Sequence, residues 1–263
     1  MKEEWIDILL KAVYEASAEI MKVYSTPFEV IRKADHSPVT QADKNSSTIL
    51  HRYISPLGYP IVSEEEVKPP YEERKDAELL WLIDPLDGTK EFVKKNDEFC
   101  ICIALIQNQA PIFGMIASPV EQEVIFGGKD MGAYKIPFFA KNIFDPKQKL
   151  ELSIPEQKSL VYSRSHFSPE VSQIVNQIED QYGKLEVIKK GSALKFFDLI
   201  SGKAQFYPRL APTMEWDIAA GQAIYEAIGG EVLDFSKFEP LRYNKEDLYN
   251  PYFIAKPKGL EIK

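Results

Sequence analysis

Apolar residues at the start of the chain recur with the period of a helix. Trp5, Ile8, Leu9, Ala12, Ala16 and Ile20 in "MKEEWIDILLKAVYEASAEIMKVY" share one face, which predicts an amphipathic helix packed on the body of the protein. "STPFEVIRKADHSP" then reads as a turn, a short strand and a loop, and Thr40 is placed to cap a second helix running to about Tyr53. Asp43 follows Thr40 at the offset of a capping box, with a shorter acid than the usual Glu or Gln. "YPIV" predicts a short strand, after which come three glutamates and a loop rich in Pro and charge. "LLWLIDPLDGTKEF" runs five apolar residues, Leu79 to Ile83, straight into Asp84 and Asp87.

Beyond that stretch, "EFCICIALIQ", "APIFGMIASP", "QEVIFGGK" and "GAYKI" are apolar runs split by turn signals, the pattern of an antiparallel meander. Near "FFAKNIFDPKQKLELSIPEQK" the hairpins give way to alternation. "LVYSRSH", "LEVIKK" and "AQFYPR" read as strands, "SPEVSQIVNQIEDQYG" and "SALKFFDLISG" as helices. "EWDIAAGQAIYEAIGG" predicts a helix ending at a Gly cap, with "EVLDF" a strand behind it. The expected class is α/β in two lobes: residues 1–149 form a helix pair with an antiparallel sheet, and residues 150–263 an α/β lobe.

With 263 residues of which 44% are apolar, the chain can bury a sizeable core. The formal charge of −8 leaves no broad electrostatic footprint for a nucleic-acid polymer, and a metal-dependent nuclease acting on short RNA is disfavoured for the same reason. A bound divalent cation can still invert the local charge and hold a small phosphorylated molecule. The acids Glu3, Glu4 and Asp7 stand where a secretion signal would be basic, and no apolar run approaches the roughly 18 residues of a membrane span. A cytoplasmic protein is expected, with peripheral attachment to the inner face of the cell membrane and a homodimer both left open. The two cysteines, Cys100 and Cys102, read as small buried hydrophobes on one face of a strand, poorly placed for a disulfide, and as a metal site they lack partner ligands.

In "DPLDGT", Pro85 turns the chain and Gly88 permits close backbone approach, so both Asp84 and Asp87 are displayed at a strand end. A turn alone could account for these residues. Glu64 and Glu65 directly after a strand, Asp217 at a helix start, and Asp43 add further acids, each with an ordinary reading as a cap or a solvated face. If they converge, hard oxygen ligands with no His or Cys cluster suit Mg²⁺, and mutually repelling carboxylates imply two or more ions. Such sites carry in-line phosphoryl displacement.

"SEE", "WLIDPLDGTKEF" and "EWDIAAGQAIYEAIGG" together resemble the Mg²⁺-dependent, lithium-sensitive phosphatases related to inositol monophosphatase. The resemblance runs from "KADHSPVTQAD" to the C-terminal strands and implies their fold, a sandwich of alternating α-β-α-β-α layers. "DGTKEF", "SRSH", "GSALK" and "YPR" are similar to the bisphosphate nucleotidase branch. By matching positions, the resemblance implies that Glu64, Asp84 and the Leu86 carbonyl hold one Mg²⁺ and that Asp84, Asp87 and Asp217 hold a second, with a third ion allowed for. Thr89, bonded to Asp43, would position and deprotonate the attacking water, and the Gly88 and Thr89 amides would hold the scissile phosphate. Ser163, His166, Gly191 and Lys195 would surround the rest of the nucleotide, joined in charge by Lys90, Arg164 and Arg209. "SEEEVKPP" departs from the branch's usual "SEEDP", which leaves Glu65 and Glu66 less secure than Glu64, and "GSALK" lacks one hydroxyl of the commoner "GSSLK". The expected activity is removal of the 3′-phosphate from adenosine 3′,5′-bisphosphate and its sulfated form. A phosphatase of inositol or sugar phosphates, and a non-catalytic binder of metal and phosphonucleotide, remain as alternatives.

Overall fold

Unbroken apolar strands need cover on both faces, and the chain supplies it. The computed structural model describes residues 1–32, 38–145, 148–164 and 169–262. Helix α1 spans Glu3–Tyr24, and strands β1 (Val30–Arg32) and β2 (Pro38–Thr40) form a small antiparallel pair ahead of α2 (Gln41–Ile54). Ile6, rather than Ile8, joins Leu9, Ala12, Ala16 and Ile20 in the core, and Ile8 lies half-buried at the flank of the face. Then follow β3 (Ile61–Ser63), a short helix α3 (Tyr71–Arg74) that the Pro-rich pattern does not predict, β4 (Leu79–Asp87) and α4 (Thr89–Val93). The meander is β5 (Cys100–Gln107), β6 (Ala110–Ser118), β7 (Glu123–Gly128) and β8 (Gly132–Pro137), closed by β9 (Lys149–Leu150).

These strands make a seven-stranded sheet in the order β3-β4-β5-β6-β7-β8-β9, antiparallel throughout except for the parallel β3–β4 pair. One face, carrying Trp81, Ile83, Ile101, Ile103, Met115 and Phe126, packs on α1 and α2. The other carries Leu80, Leu82, Cys100, Cys102, Ala104 and Ile116.

The remaining elements alternate as the pattern predicts: β10 (Ser159–Ser163), α5 (Pro169–Tyr182), β11 (Glu186–Lys190), α6 (Leu194–Ile200), β12 (Tyr207–Arg209), α7 (Glu215–Ala227), β13 (Gly230–Asp234) and β14 (Phe253–Pro257). Helices α6 and α7 cover the second face of the large sheet, and behind them lie a parallel β10–β11 pair and an antiparallel sheet β12-β14-β13. Helix α5 packs outermost on Leu160, Phe206 and Ile254. The layers therefore run α-β-α-β-α. Helix α7 stops where Gly229 takes a φ of +98°, the cap position expected of "AIGG". Among the described residues no helix is long and apolar enough to cross a membrane.

Helix α7 lies very close to the sheet because both surfaces are small at the crossing. A Cβ on Gly114 would fall 2.1 Å from the Ala220 carbonyl oxygen; α6 comes equally close to α7, where a Cβ on Gly221 would fall 2.1 Å from the Phe196 ring. This approach carries the first turn of α7 to the end of β4.

Candidate active site

The end of β4 is bent out of regular pairing. Its ladder with β5 shifts register between Asp84 and Asp87, so the chain gains slack at Pro85 and Leu86 while both acids keep a partner on β5, Cys102 and Cys100 respectively. The Asp84 carboxylate accepts the Leu86 amide at 3.0 Å, and the Pro85 carbonyl accepts Ser46 Oγ at 2.7 Å. Gly88 follows with φ +97°; a Cβ there would meet the Glu98 carbonyl oxygen at 2.7 Å, so only glycine fits.

Strand β3 runs beside β4 with Ser63 opposite Ile83, and the Glu64 amide donates to the Ile83 carbonyl at 3.1 Å. Glu64 and Asp84 are thereby the next residues in register. Asp217, in the first turn of α7, accepts the Met214 amide at 2.8 Å. One carboxylate oxygen from each of Glu64, Asp84 and Asp217 lies within 4.8 Å of the others. Asp84 is buried, and burial followed by repulsion from Glu64, Asp87 and Asp217 pushes its carboxyl well above the usual range. Burial, then Asp87 and Glu64, do the same to Asp217. Burial lifts Asp87 to about 6 against the pull of Lys195 and of the Ala193 amide that it accepts. Three acids held above the usual carboxylate range, with oxygen donors only at the Glu64–Asp84–Asp217 cluster, fit a hard divalent cation.

Asp43 stands beside this cluster with both oxygens engaged. Its Oδ2 accepts the Thr40 amide and hydroxyl, each at 2.7 Å, which completes the capping box of α2 with an aspartate. Its Oδ1 accepts Thr89 Oγ1 at 2.8 Å, while the Leu86 carbonyl lies 3.3 Å from the same hydroxyl. Burial holds the Asp43 carboxyl above its ordinary value despite the bonds from Thr40 and Thr89.

A cleft open to solvent begins at Asp87, Gly88 and Asp217 and continues past Ser163, Lys195 and Arg209. Lys90 stands exposed at its edge. Lys195 is buried, lies over the Tyr207 ring at 5.4 Å, and is lowered by burial to about 8. The Gly191 amide donates to Glu98 Oε2 at 2.8 Å, and Arg164 forks onto the same carboxylate at 3.0 and 2.5 Å. Glu98 was not marked by any motif, yet it ties the "SRSH" strand to the "GSALK" turn. Ser192, in that turn, also lines the cleft with a φ of +48°. Glu65 is half-buried, and Glu66 is exposed and accepts Ser47 Oγ at 2.7 Å. His166 lies outside the described residues.

The model of the inositol monophosphatase family matches residues 1–259. The chain belongs to the inositol monophosphatase family. Within that family it is 36% identical over 254 residues to the 3′(2′),5′-bisphosphate nucleotidase CysQ of Escherichia coli K12, covering 94% of this chain and 98% of the relative. Identity to CysQ of Salmonella typhimurium LT2 is 37% over 243 residues, covering 90% and 94%. The crystal structure of CysQ from Bacteroides thetaiotaomicron, a bacterial member of the same family, superposes with a TM-score of 0.85 at 38% identity, covering 97% of this chain and 98% of that one. An inositol monophosphatase of Thermotoga maritima shares the fold at 22% identity and a TM-score of 0.72. The family's fold and the α-β-α-β-α layering therefore agree.

Proposed function

We propose that this protein is a Mg²⁺-dependent 3′(2′),5′-bisphosphate nucleotidase that hydrolyses the 3′-phosphate of adenosine 3′,5′-bisphosphate to AMP and phosphate, and likewise converts 3′-phosphoadenosine 5′-phosphosulfate to adenosine 5′-phosphosulfate. The observation that carries this reading is the junction of the Glu64–Asp84–Asp217 cluster with a cleft lined by Lys195 and Arg209. The relatives at 36–37% identity, whose names specify this activity, support the same substrate class.

Glu64, Asp84 and the Leu86 carbonyl are the candidates for one ion, and Asp84, Asp87 and Asp217 for a second. When bound, Mg²⁺ neutralises these acids, acidifies water and stabilises charge developing on the phosphoryl oxygens. Thr89 orients the attacking water: its hydroxyl donates to Asp43, which leaves its lone pairs to accept from the water. As the water attacks phosphorus, the bond from phosphorus to the 3′-oxygen breaks and that oxygen leaves as the hydroxyl of AMP with a proton taken from solvent, while the attacking water's proton passes to Thr89 Oγ1 and the Thr89 proton to Asp43. An Asp43 whose proton affinity is raised by burial suits that role. The Gly88 and Thr89 amides are assigned to the scissile phosphate, and Lys195, Arg209, Ser163 and Gly191, with His166, to the 5′-phosphate and nucleoside. The same reading places the enzyme in the cytoplasm and divides the chain into lobes at residues 1–149 and 150–263.

Phosphate release from adenosine 3′,5′-bisphosphate, inositol 1-phosphate and fructose 1,6-bisphosphate, each with Mg²⁺, tests the assignment. The bisphosphonucleotide should give the highest kcat/KM by at least tenfold. A preference for either of the other two overturns the substrate while leaving the metal cluster in place.

A further inference from the structure

Asp84 and Asp87 face β5 residues that are both cysteines. Paired residues of an antiparallel ladder share a face, so Cys100 and Cys102 project beside the acids on the side covered by α6 and α7. Both are free and wholly buried, and their sulfurs are 3.9 Å apart. Cys100 Sγ also lies 3.9 Å from Asp87 Oδ2 and 3.6 Å from Ser192 Oγ. One ligand atom from each of Asp87, Cys100 and Cys102 lies within 4.8 Å of the others. The sequence pattern shows a cysteine pair without partners; the fold adds a carboxylate and a hydroxyl.

Tetrahedral zinc has bonds of about 2.3 Å to sulfur and about 2.0 Å to oxygen, which place its ligands about 3.8 Å (S···S) and about 3.5 Å (S···O) apart. The Cys100–Cys102 and Cys100–Asp87 separations need a few tenths of an ångström of contraction, and the Cys102 and Asp87 ligand atoms start within 4.8 Å of each other. We propose that Cys100, Cys102 and Asp87 form a site for a thiophilic divalent cation of the Zn²⁺ or Cd²⁺ class, and that the cation held there competes with the hard cation of the neighbouring carboxylate cluster because both draw on Asp87. Ser192 Oγ or a water supplies the fourth position. Binding deprotonates both thiols and releases two protons to the buffer. Two thiolates, one carboxylate and a dication carry a net charge of −1, and the Lys195 ammonium, which interacts with both Asp87 and Cys100, offsets it. Entry runs through the cleft that Asp87 and Ser192 line.

Competition between the ions rests on the role proposed above for Asp87; binding by the thiols does not. Metal-free full-length protein titrated with Cd²⁺ should show an ultraviolet thiolate-to-cadmium charge-transfer band that saturates at one equivalent. The band should vanish in Cys100→Ala/Cys102→Ala, and saturating Mg²⁺ should move the wild-type midpoint to at least threefold higher Cd²⁺. If the double variant loses the native circular dichroism, Cys102→Ala alone should move the midpoint at least tenfold. Absence of the band, or a single variant that binds as the parent does, overturns the site. A midpoint indifferent to Mg²⁺ overturns the shared carboxylate. None of these readouts uses turnover, so they stand or fall separately from the nucleotidase assignment.

Discussion

Asp43 does two jobs with two oxygens, and a pair of substitutions separates them. In Asp43→Asn the side chain keeps its shape but loses its charge and one acceptor, so Thr89, Thr40 or both lose a bond now 2.7–2.8 Å long. A hydrogen bond to a charged group contributes about 1.5–3 kcal/mol, which at 1.36 kcal/mol per decade predicts a fall in kcat of roughly 10- to 150-fold if Asp43 only orients Thr89. If it also takes the proton, the range of general-base catalysis applies, about 10² to 10⁴. Thr40→Ala removes the hydroxyl that donates to Oδ2 and caps Ala42 at 3.1 Å, but leaves Oδ1 and Thr89 as they are. It should cost about 1 kcal/mol of stability through the lost cap and change kcat less than threefold. Steady-state phosphate release with Mg²⁺, alongside thermal unfolding of both variants, makes the comparison. A D43N enzyme within threefold of the parent kcat, or a T40A enzyme as impaired as D43N, would refute the division of labour.

Other perturbations probe the surrounding structure. Gly114→Ala puts a methyl against the Ala220 carbonyl and should destabilise the fold by about 1–3 kcal/mol in chemical denaturation; because α7 carries Asp217, kcat should fall by more than tenfold at temperatures where the variant remains folded. Asp84→Asn should abolish turnover yet raise the Tm of metal-free protein, since it relieves repulsion from Glu64, Asp87 and Asp217; a lower Tm without metal would count against that account. Lys195, lowered by burial to about 8 from an ordinary 10.5, binds fewer protons folded than unfolded between those values, so its contribution makes stability rise with pH across that window. Stability of wild type relative to Lys195→Met should therefore increase from pH 8 to pH 10.5, and the wild-type KM for an anionic substrate should increase above pH 8 as the ammonium is lost.

Much of this architecture is readable from periodicity alone. The α1 face, the β5–β8 meander and the alternation after residue 150 follow from apolar spacing, and Asp43 reads as a capping residue from its offset. Motif resemblance supplied the grouping of Glu64, Asp84, Asp87 and Asp217, because no local rule says which distant acids converge. What escaped were features made by tertiary contact. Ile6 displaces Ile8 because the sheet, not the helix, sets the rotation of α1. Glu98 carries no pattern, since its function is to join Arg164 to Gly191 across 66 and 93 residues of chain. The cysteines looked partnerless because their neighbours Asp87 and Ser192 reach them from another strand and from a turn with positive φ.

The parallel pairing of β3 and β4 has a consequence for how such an enzyme can diverge. The distance between Glu64 and Asp84 is set by the spacing of adjacent strands, about 4.8 Å, and by the hydrogen bond from Glu64 to Ile83, not by the path the chain takes between them. The charged, Pro-rich excursion that links the two strands can lengthen, shorten or change composition without moving either acid. Reshaping of that excursion is thereby uncoupled from the spacing of the two acids, and the extra glutamate and prolines of "SEEEVKPP" are a variation that this arrangement tolerates.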